Sequence, residues 1–117
     1  MRVEFIITDL DGIEYHDLTI GNVYHVIGIE ADEFRLINDE GRPYLYPPDL
    51  FSIVDETESE DWITEYGEDG ERYAYPPELN SVGFFEDYFD DDPKAIATFR
   101  QYLAKQRVLR STIPKAA

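Results

Sequence analysis

Residues 44–50 read Tyr-Leu-Tyr-Pro-Pro-Asp-Leu, and residues 73–79 read Tyr-Ala-Tyr-Pro-Pro-Glu-Leu, so the chain carries one pattern twice. The two tyrosines of each copy are two positions apart, which places both on the same face of a β-strand. The first proline of each pair lacks a backbone N–H and holds the preceding residue in extended geometry, so each strand must end there. An acidic turn with a glycine precedes each copy, at 39–41 and 68–70. The repeat therefore predicts two β-hairpins of similar design.

These predicted hairpins span residues 34–50 and 62–79, and short strands account for most of the chain before residue 55. Apolar or alternating runs that are typical of strands occur at residues 3–8, 13–16, 26–29, 33–37 and 51–54. Gly28 interrupts one of these runs, which predicts a β-bulge or a tight bend. Residues 47–50 fit one turn of 3₁₀ helix before the strand at 51–54. The predicted fold class is mainly β (α+β), built from antiparallel strands.

One α-helix is predicted, over residues 93–108. Asp92 is a favourable N-cap, and Pro93 suits the first helical position because its missing N–H would be unpaired there anyway. Ile96, Phe99 and Leu103 recur at helical spacing, with Tyr102 beside them, and this stripe predicts the face that docks on the sheet. Residues 109–117, which include a further proline, are expected to form a loose tail.

The length of 117 residues predicts a single domain, and the hydrophobic content of 43% is sufficient for one core. Without cysteine the chain can form no disulfide, which suits a reducing compartment. We find no signal peptide and no apolar run of the roughly 20 residues that cross a bilayer, so we expect a cytoplasmic protein without a membrane contact. The expected segments of the domain are strands at 1–54, an acidic linker with the second hairpin and an aromatic segment at 55–92, the helix at 93–108 and the tail at 109–117.

The charge is distributed unevenly. The formal net charge is −16, and all 26 acidic residues lie within residues 1–92, whereas residues 93–117 carry basic charges only. An acidic body repels phosphate backbones and anionic headgroups and attracts basic surfaces. We therefore expect a basic protein partner and no direct binding of nucleic acid. A surface that is acidic only for solubility is the alternative interpretation.

A resemblance to known proteins follows from the order of these elements. Leu18-Thr19-Ile20-Gly21 leads into several short strands, a one-turn helix and a final strand, and this order resembles an SH3-like barrel. Residues 18–54, 68–79 and 83–88 also resemble small acidic bacterial proteins that are found as immunity partners of secreted toxins. The resemblance implies an SH3-like antiparallel barrel with an added β-hairpin and a C-terminal helix. It also implies a partner-binding surface and no catalytic residues.

The sequence Asp9-Leu10-Asp11-Gly12 after an apolar strand offers an enzymatic alternative. It resembles the first motif of haloacid dehalogenase-type phosphatases, which implies Asp9 as nucleophile and Asp11 as general acid beside a magnesium ion. Ile13 departs from the threonine that is usual there. Such chemistry also needs a parallel sheet with crossover helices, and no helical period is found between residues 12 and 92.

Other candidate metal ligands are few. His16 and His25 are the two imidazoles, and without cysteine they would need neighbouring carboxylates to bind a metal. The run Asp90-Asp91-Asp92 could attract a cation, although consecutive carboxylates do not converge on one ion unless the chain folds around it. Helix capping and solvation explain the run better, so we expect neither metal nor cofactor.

The remaining candidate is an acidic surface that contains tyrosine. Tyrosine combines a large contact area with a hydroxyl, and for this reason it is enriched where proteins bind proteins. The expected function is non-catalytic: the protein would neutralise a basic toxin by occlusion. An acidic DNA mimic that inhibits a nucleic-acid-binding protein is the alternative. The predicted partner-binding residues are Glu65, Glu68, Asp69, Glu71, Tyr73, Glu86 and Asp87.

Overall fold

The computed structural model describes the backbone of residues 1–111 and the side chains of residues 1–106. Within them the chain forms two compact units, Met1–Pro76 and a second unit that begins at Pro77. The first unit contains nine strands: β1 (Arg2–Phe5), β2 (Asp9–Leu10), β3 (Ile13–Glu14), β4 (Val23–Glu30), β5 (Glu33–Ile37), β6 (Pro43–Tyr46), β7 (Phe51–Asp55), β8 (Ile63–Tyr66) and β9 (Arg72–Tyr75). A 3₁₀ turn, Pro48–Leu50, separates β6 from β7. The second unit contains a 3₁₀ turn, Pro77–Leu79, and two helices, α1 (Phe84–Phe89) and α2 (Pro93–Ser111).

The main sheet is antiparallel throughout. Its strands follow the order β6-β5-β4-β1-β7, and β9 pairs with both β4 and β8, while β2 and β3 form a separate small hairpin. The predicted mainly-β, antiparallel class with a C-terminal helix is thereby confirmed. In the described chain, β6 and β7 end the sheet path without pairing with each other, so hydrogen bonding does not close the sheet into a barrel.

The core of the first unit is formed where alternating apolar side chains of β1, β4, β5 and β7 meet. Val3, Phe5 and Leu36 are fully buried there. The ring of Phe51 lies 5.9 Å from those of Phe5 and Phe34, in the tilted geometry that aromatic pairs prefer. This cluster fixes the sheet from which the β8–β9 hairpin extends.

The first predicted strand, 3–8, is shorter in the structure. β1 ends at Phe5, and Ile6 is 47% exposed, so the prediction of a buried strand was wrong for residues 6–8. The physical reason is the backbone pairing, because the N–H groups of Ile6 and Ile7 both donate to the carbonyl of Leu50. Two donors that converge on one acceptor end the ladder with β7.

Both copies of the tyrosine-proline pattern form a strand followed by a 3₁₀ turn; the turn was predicted for the first copy, and the structure adds the one in the second. The leucine at the end of each copy, Leu50 and Leu79, is buried. The tyrosines of the first copy differ in burial: Tyr44 is 39% exposed and Tyr46 only 2%. The Tyr46 hydroxyl donates to Asp17 at 2.5 Å and accepts from the Asn38 amide at 3.1 Å, which satisfies its polar end.

In the second unit, α2 begins where the sequence predicts. The Ala95 N–H donates to Asp92 Oδ2 at 3.0 Å, so Asp92 is the N-cap. The helix continues through Ser111, which corrects the predicted end at residue 108, and residues 112–117 of the predicted tail lie outside the described residues. No helix in the described part of the chain is long and apolar enough to span a membrane.

The buried face of α2 is rotated slightly from the predicted stripe. Ala95, Phe99 and Tyr102 are buried, whereas Ile96 and Leu103 are only partly buried. Phe99 packs edge-on against two rings of α1, with centroid distances of 6.0 Å to Phe85 and 5.1 Å to Tyr88. These aromatic contacts hold α1 and α2 together.

Candidate protein-binding surface

The candidate surface is the β8–β9 hairpin, residues 63–75, which we call the acidic hairpin. Its inner strand is attached to the sheet, because Ala74 of β9 pairs with Ile29 of β4 and is completely buried. Its outer strand, β8, has four exposed residues. The hairpin therefore exposes β8 and the turn to solvent, while β9 is held by its pairing with β4.

A buried polar network fixes the inner strand. Arg35 of β5 is 4% exposed; its Nε donates to the Tyr75 hydroxyl at 2.7 Å and its guanidinium also donates to the Pro43 carbonyl at 2.8 Å. Glu30 Oε1 accepts from Arg35 at 3.1 Å and from the Tyr75 hydroxyl at 3.0 Å. Burial raises the pKa of Tyr75 above its ordinary value. The network ties β9 to β4 and β5.

A second set of polar contacts fixes the outer part of the hairpin. Arg72 donates to both carboxylate oxygens of Glu58, with Nη1 at 2.6 Å from Oε2, and to the Thr64 hydroxyl at 3.2 Å. The Arg72 hydrogen bonds lower the pKa of Glu58. Glu58 belongs to the predicted acidic linker, and Arg72, which is distant in sequence, supplies its charge partner.

The turn of the hairpin is closed by its own backbone and by one side chain. The Gly67 N–H donates to the Glu71 carbonyl at 2.9 Å, and the Asp69 N–H donates to Glu71 Oε2 at 3.0 Å. The carboxylate of Glu71 therefore folds back on the turn. Glu68 and Asp69 remain exposed at its tip.

The exposed strand combines acidic and aromatic side chains. Glu65 is paired with Tyr73 across the hairpin, so the two side chains lie on one face. Tyr66, next along the strand, is 70% exposed. Aromatic side chains are enriched in protein-binding surfaces, and polar groups form the rim of such surfaces.

Five of the seven predicted binding residues meet in the acidic hairpin: Glu65, Glu68, Asp69, Glu71 and Tyr73. The other two, Glu86 and Asp87, are exposed on α1 and belong to the second compact unit. Sequence reasoning missed Ile63 and Tyr66 as exposed residues of the same hairpin. β8 reads Ile-Thr-Glu-Tyr, and this sequence does not tell which strand lies at the edge of a sheet.

The phosphatase alternative lacks its structural setting. Asp9 lies in β2, and Asp11 lies in the adjoining turn with φ +53°; both are exposed. All strand pairings in the described chain are antiparallel, whereas the motif requires a parallel sheet. The two aspartates therefore belong to a small surface hairpin.

The other candidate metal ligands are also dispersed. Within the described residues no three His, Asp or Glu side chains are grouped so that they could hold a metal ion. His16 lies 3.1 Å from the Glu14 carboxylate, and both are exposed. Asp92 uses its carboxylate to cap α2.

Comparison with known proteins gives no match: no family model, no curated protein and no solved structure is similar to this chain. The resemblance to toxin-immunity proteins therefore stays a prediction.

Proposed function

We propose that this protein is a non-catalytic binding protein that neutralises a basic protein toxin by covering its functional surface. The observation that carries the proposal is the acidic hairpin, in which the exposed Tyr66 lies along the chain between Glu65 and the turn acids Glu68 and Asp69. Carboxylates at the rim of an interface accelerate the encounter with a basic partner, and an aromatic side chain supplies contact area.

The distribution of charge supports the same function. The net charge is −16, and the first 92 residues contain every acidic side chain. This field attracts a basic protein over several ångströms in low salt and is screened in high salt. Binding should therefore depend strongly on ionic strength.

We further propose that the first unit is SH3-like. The strand order β6-β5-β4-β1-β7 and the 3₁₀ turn between β6 and β7 support this assignment. In this description the acidic hairpin is an addition attached to β4 through β9. Such an addition would carry the binding surface without disturbing the core strands.

The test compares two variants with equal net charge. In the hairpin variant Glu65→Gln, Glu68→Gln and Asp69→Asn neutralise three exposed acids; in the control, Glu40→Gln, Asp49→Asn and Glu56→Gln neutralise three exposed acids elsewhere. Each immobilised protein captures partners from the cells that produce it, at low and at high salt. We expect the wild type and the control to retain a basic protein that salt releases, and the hairpin variant to lose most of it.

Two outcomes would contradict the proposal. The absence of any salt-sensitive basic partner would exclude neutralisation of a basic toxin. An equal loss in both variants would show that the total field, and not the acidic hairpin, carries binding. That second result would favour the DNA-mimic alternative, whose charges act over the whole surface.

A further inference from the structure

The outer edge of β8 has backbone N–H and C=O groups that face no neighbouring strand of the sheet. In an antiparallel ladder, opposite residues alternate between pairs that hydrogen-bond to each other and pairs whose N–H and C=O groups point away from each other. On β9, Ala74 pairs with β4, and the N–H and C=O groups of Arg72 bond to Asp32 in the turn between β4 and β5. The backbone N–H and C=O groups of Ala74 and Arg72 therefore point away from β8. Those of their partners Thr64 and Tyr66 point away from β9, toward the solvent.

This edge is open in the part of the chain that the structure describes. There β8 pairs with β9 alone, and its four residues are exposed. Proteins usually protect such an edge with proline, with a charged side chain, most often lysine, or with a covering segment, because an open edge can accept another strand. β8 contains Ile63 and Tyr66 and has neither proline nor lysine.

The charge around the edge indicates which segment it would accept. Glu65 lies within β8, Glu60 and Asp61 precede it, and Glu68 and Asp69 follow it. A second copy of this chain would bring the same carboxylates against them, which like-charge repulsion opposes. A segment that carries lysine or arginine would be attracted.

We propose that the β8 edge binds an extended basic segment of the partner protein, which adds to the sheet as a further strand. Backbone hydrogen bonds to Thr64 and Tyr66 provide affinity, while the flanking carboxylates select basic side chains. This inference rests on the proposed function and specifies how the partner would be held.

The other two edges of the main sheet are less suited to such a segment. β6 begins with Pro43 and is followed by Pro47, and the Pro43 carbonyl already accepts a hydrogen bond from Arg35. β7 ends near two positive groups: the Met1 amino group donates to the Thr57 carbonyl at 2.6 Å, and Arg2 lies 3.8 Å from Asp55. These groups compensate part of the negative charge near the end of β7, so a basic segment is attracted less strongly there than at β8.

The experiment uses three end-blocked hexapeptides and the full-length ¹⁵N-labelled protein in low salt. The first peptide alternates lysine and valine, the second is the same peptide with every second amide N-methylated, and the third replaces lysine with glutamate. N-methylation keeps the charge but removes the donors that a strand needs. We expect the first peptide to bind about tenfold more tightly than the second, with the largest shifts at the Thr64 and Tyr66 amides, and the third not to bind.

A matched pair of variants tests the same edge from the protein side. Thr64→Pro removes an N–H that faces outward and not toward β9, so the hairpin ladder loses no bond; Thr64→Val removes the hydroxyl and keeps the N–H. We expect the proline variant to bind the first peptide about tenfold more weakly than the valine variant. If the proline variant does not fold, the comparison of the methylated and unmethylated peptides decides.

The outcomes separate this inference from the proposed function. Equal binding of both lysine peptides, or shifts centred on Tyr44 or Ile53, would overturn strand addition at β8 and leave a charge-driven partner surface intact. No binding of any peptide would also overturn strand addition. None of these results affects the salt-sensitive capture of a basic protein, and that capture alone decides the proposed function.

Discussion

The ring of Tyr75 lies against the α-carbon of Gly28, so closely that a β-carbon at Gly28 would be 2.1 Å from Cε1 of the tyrosine. Gly28 lies at the bulge of β4, where the register with β5 shifts, as the sequence predicts. The absence of a side chain there lets β9 approach β4 and lets the Tyr75 hydroxyl reach Arg35 and Glu30. The position of the acidic hairpin therefore depends on one glycine and one tyrosine.

Gly28→Ala should lower the free energy of unfolding by about 1–3 kcal/mol, because the added methyl group overlaps the Tyr75 ring and must displace it. The backbone of Gly28 is not in the left-handed region, so the overlap and not the backbone conformation would be responsible. Urea unfolding followed by circular dichroism measures the change. In a Tyr75→Ala background the same substitution should cost much less. An equal cost in both backgrounds would contradict this explanation.

Stability should also fall at alkaline pH. Burial is the largest cause that raises the pKa of Tyr46 and of Tyr75 above the ordinary value of 10. In the unfolded chain both hydroxyls ionise near pH 10, whereas in the folded protein they ionise only at a higher pH. Their contribution is therefore complete below pH 10 and is lost as the pH rises above it, by up to about 1.4 kcal/mol per pH unit for each tyrosine.

Unfolding by urea between pH 8 and 11.5 measures this slope. We expect the Tyr46→Phe and Tyr75→Phe variants to lose stability less steeply with pH than the wild type, since each removes one of the ionising hydroxyls. Tyr66→Phe, which removes an exposed hydroxyl, serves as the matched control for the loss of a hydroxyl group. A slope unchanged in both buried variants would contradict the assignment.

The Glu58–Arg72 pair should contribute at neutral pH and be lost in acid. Hydrogen bonds from Arg72 lower the pKa of Glu58 below its ordinary value of 4.5, so the contribution is present above that value and is lost as the pH falls below it. Both side chains are partly exposed, which limits the effect to about 1 kcal/mol. Glu58→Gln should lower the free energy of unfolding by this amount at pH 7 and by little at pH 3, whereas Glu56→Gln, at an exposed neighbour, should have no effect. A Glu58→Gln loss that persists at pH 3 would exclude the charge pair as its cause.

Local signals explain why parts of the fold were predictable from the sequence. The double prolines and the glycine turns determine the ends of β6 and β9 within a few residues, and these predictions are confirmed. Asp92 and Pro93 determine the start of α2 in the same way. The four acids and the one tyrosine predicted in the hairpin lie together in the structure because they are close along the chain.

Contacts between distant segments explain the rest. The alternating pattern of β5 predicts that Arg35 is exposed to solvent. It is buried because it donates hydrogen bonds to Tyr75, Glu30 and the Pro43 carbonyl, which belong to three other strands. Tyr46 is buried where Tyr44 is not, since Asp17 approaches from a loop before β4. The open edge of β8 follows from the strand order of the sheet. The residues of β8 alone do not reveal that order.

The N-cap of α2 offers a test in the second unit. Asp92 Oδ2 accepts from the Ala95 N–H, and the Asp92 carbonyl accepts from the Ile96 N–H at 3.0 Å. Asp92→Ala removes the side-chain acceptor and should destabilise the start of the helix by about 1 kcal/mol, whereas Asp92→Asn should retain most of the stability. Hydrogen exchange of the Ala95 and Ile96 amides measures this, with faster exchange expected for the alanine variant. Asp90→Ala removes an exposed carboxylate from the same acidic run and should leave these rates unchanged; equal acceleration by both alanine variants would attribute the effect to lost negative charge and not to capping.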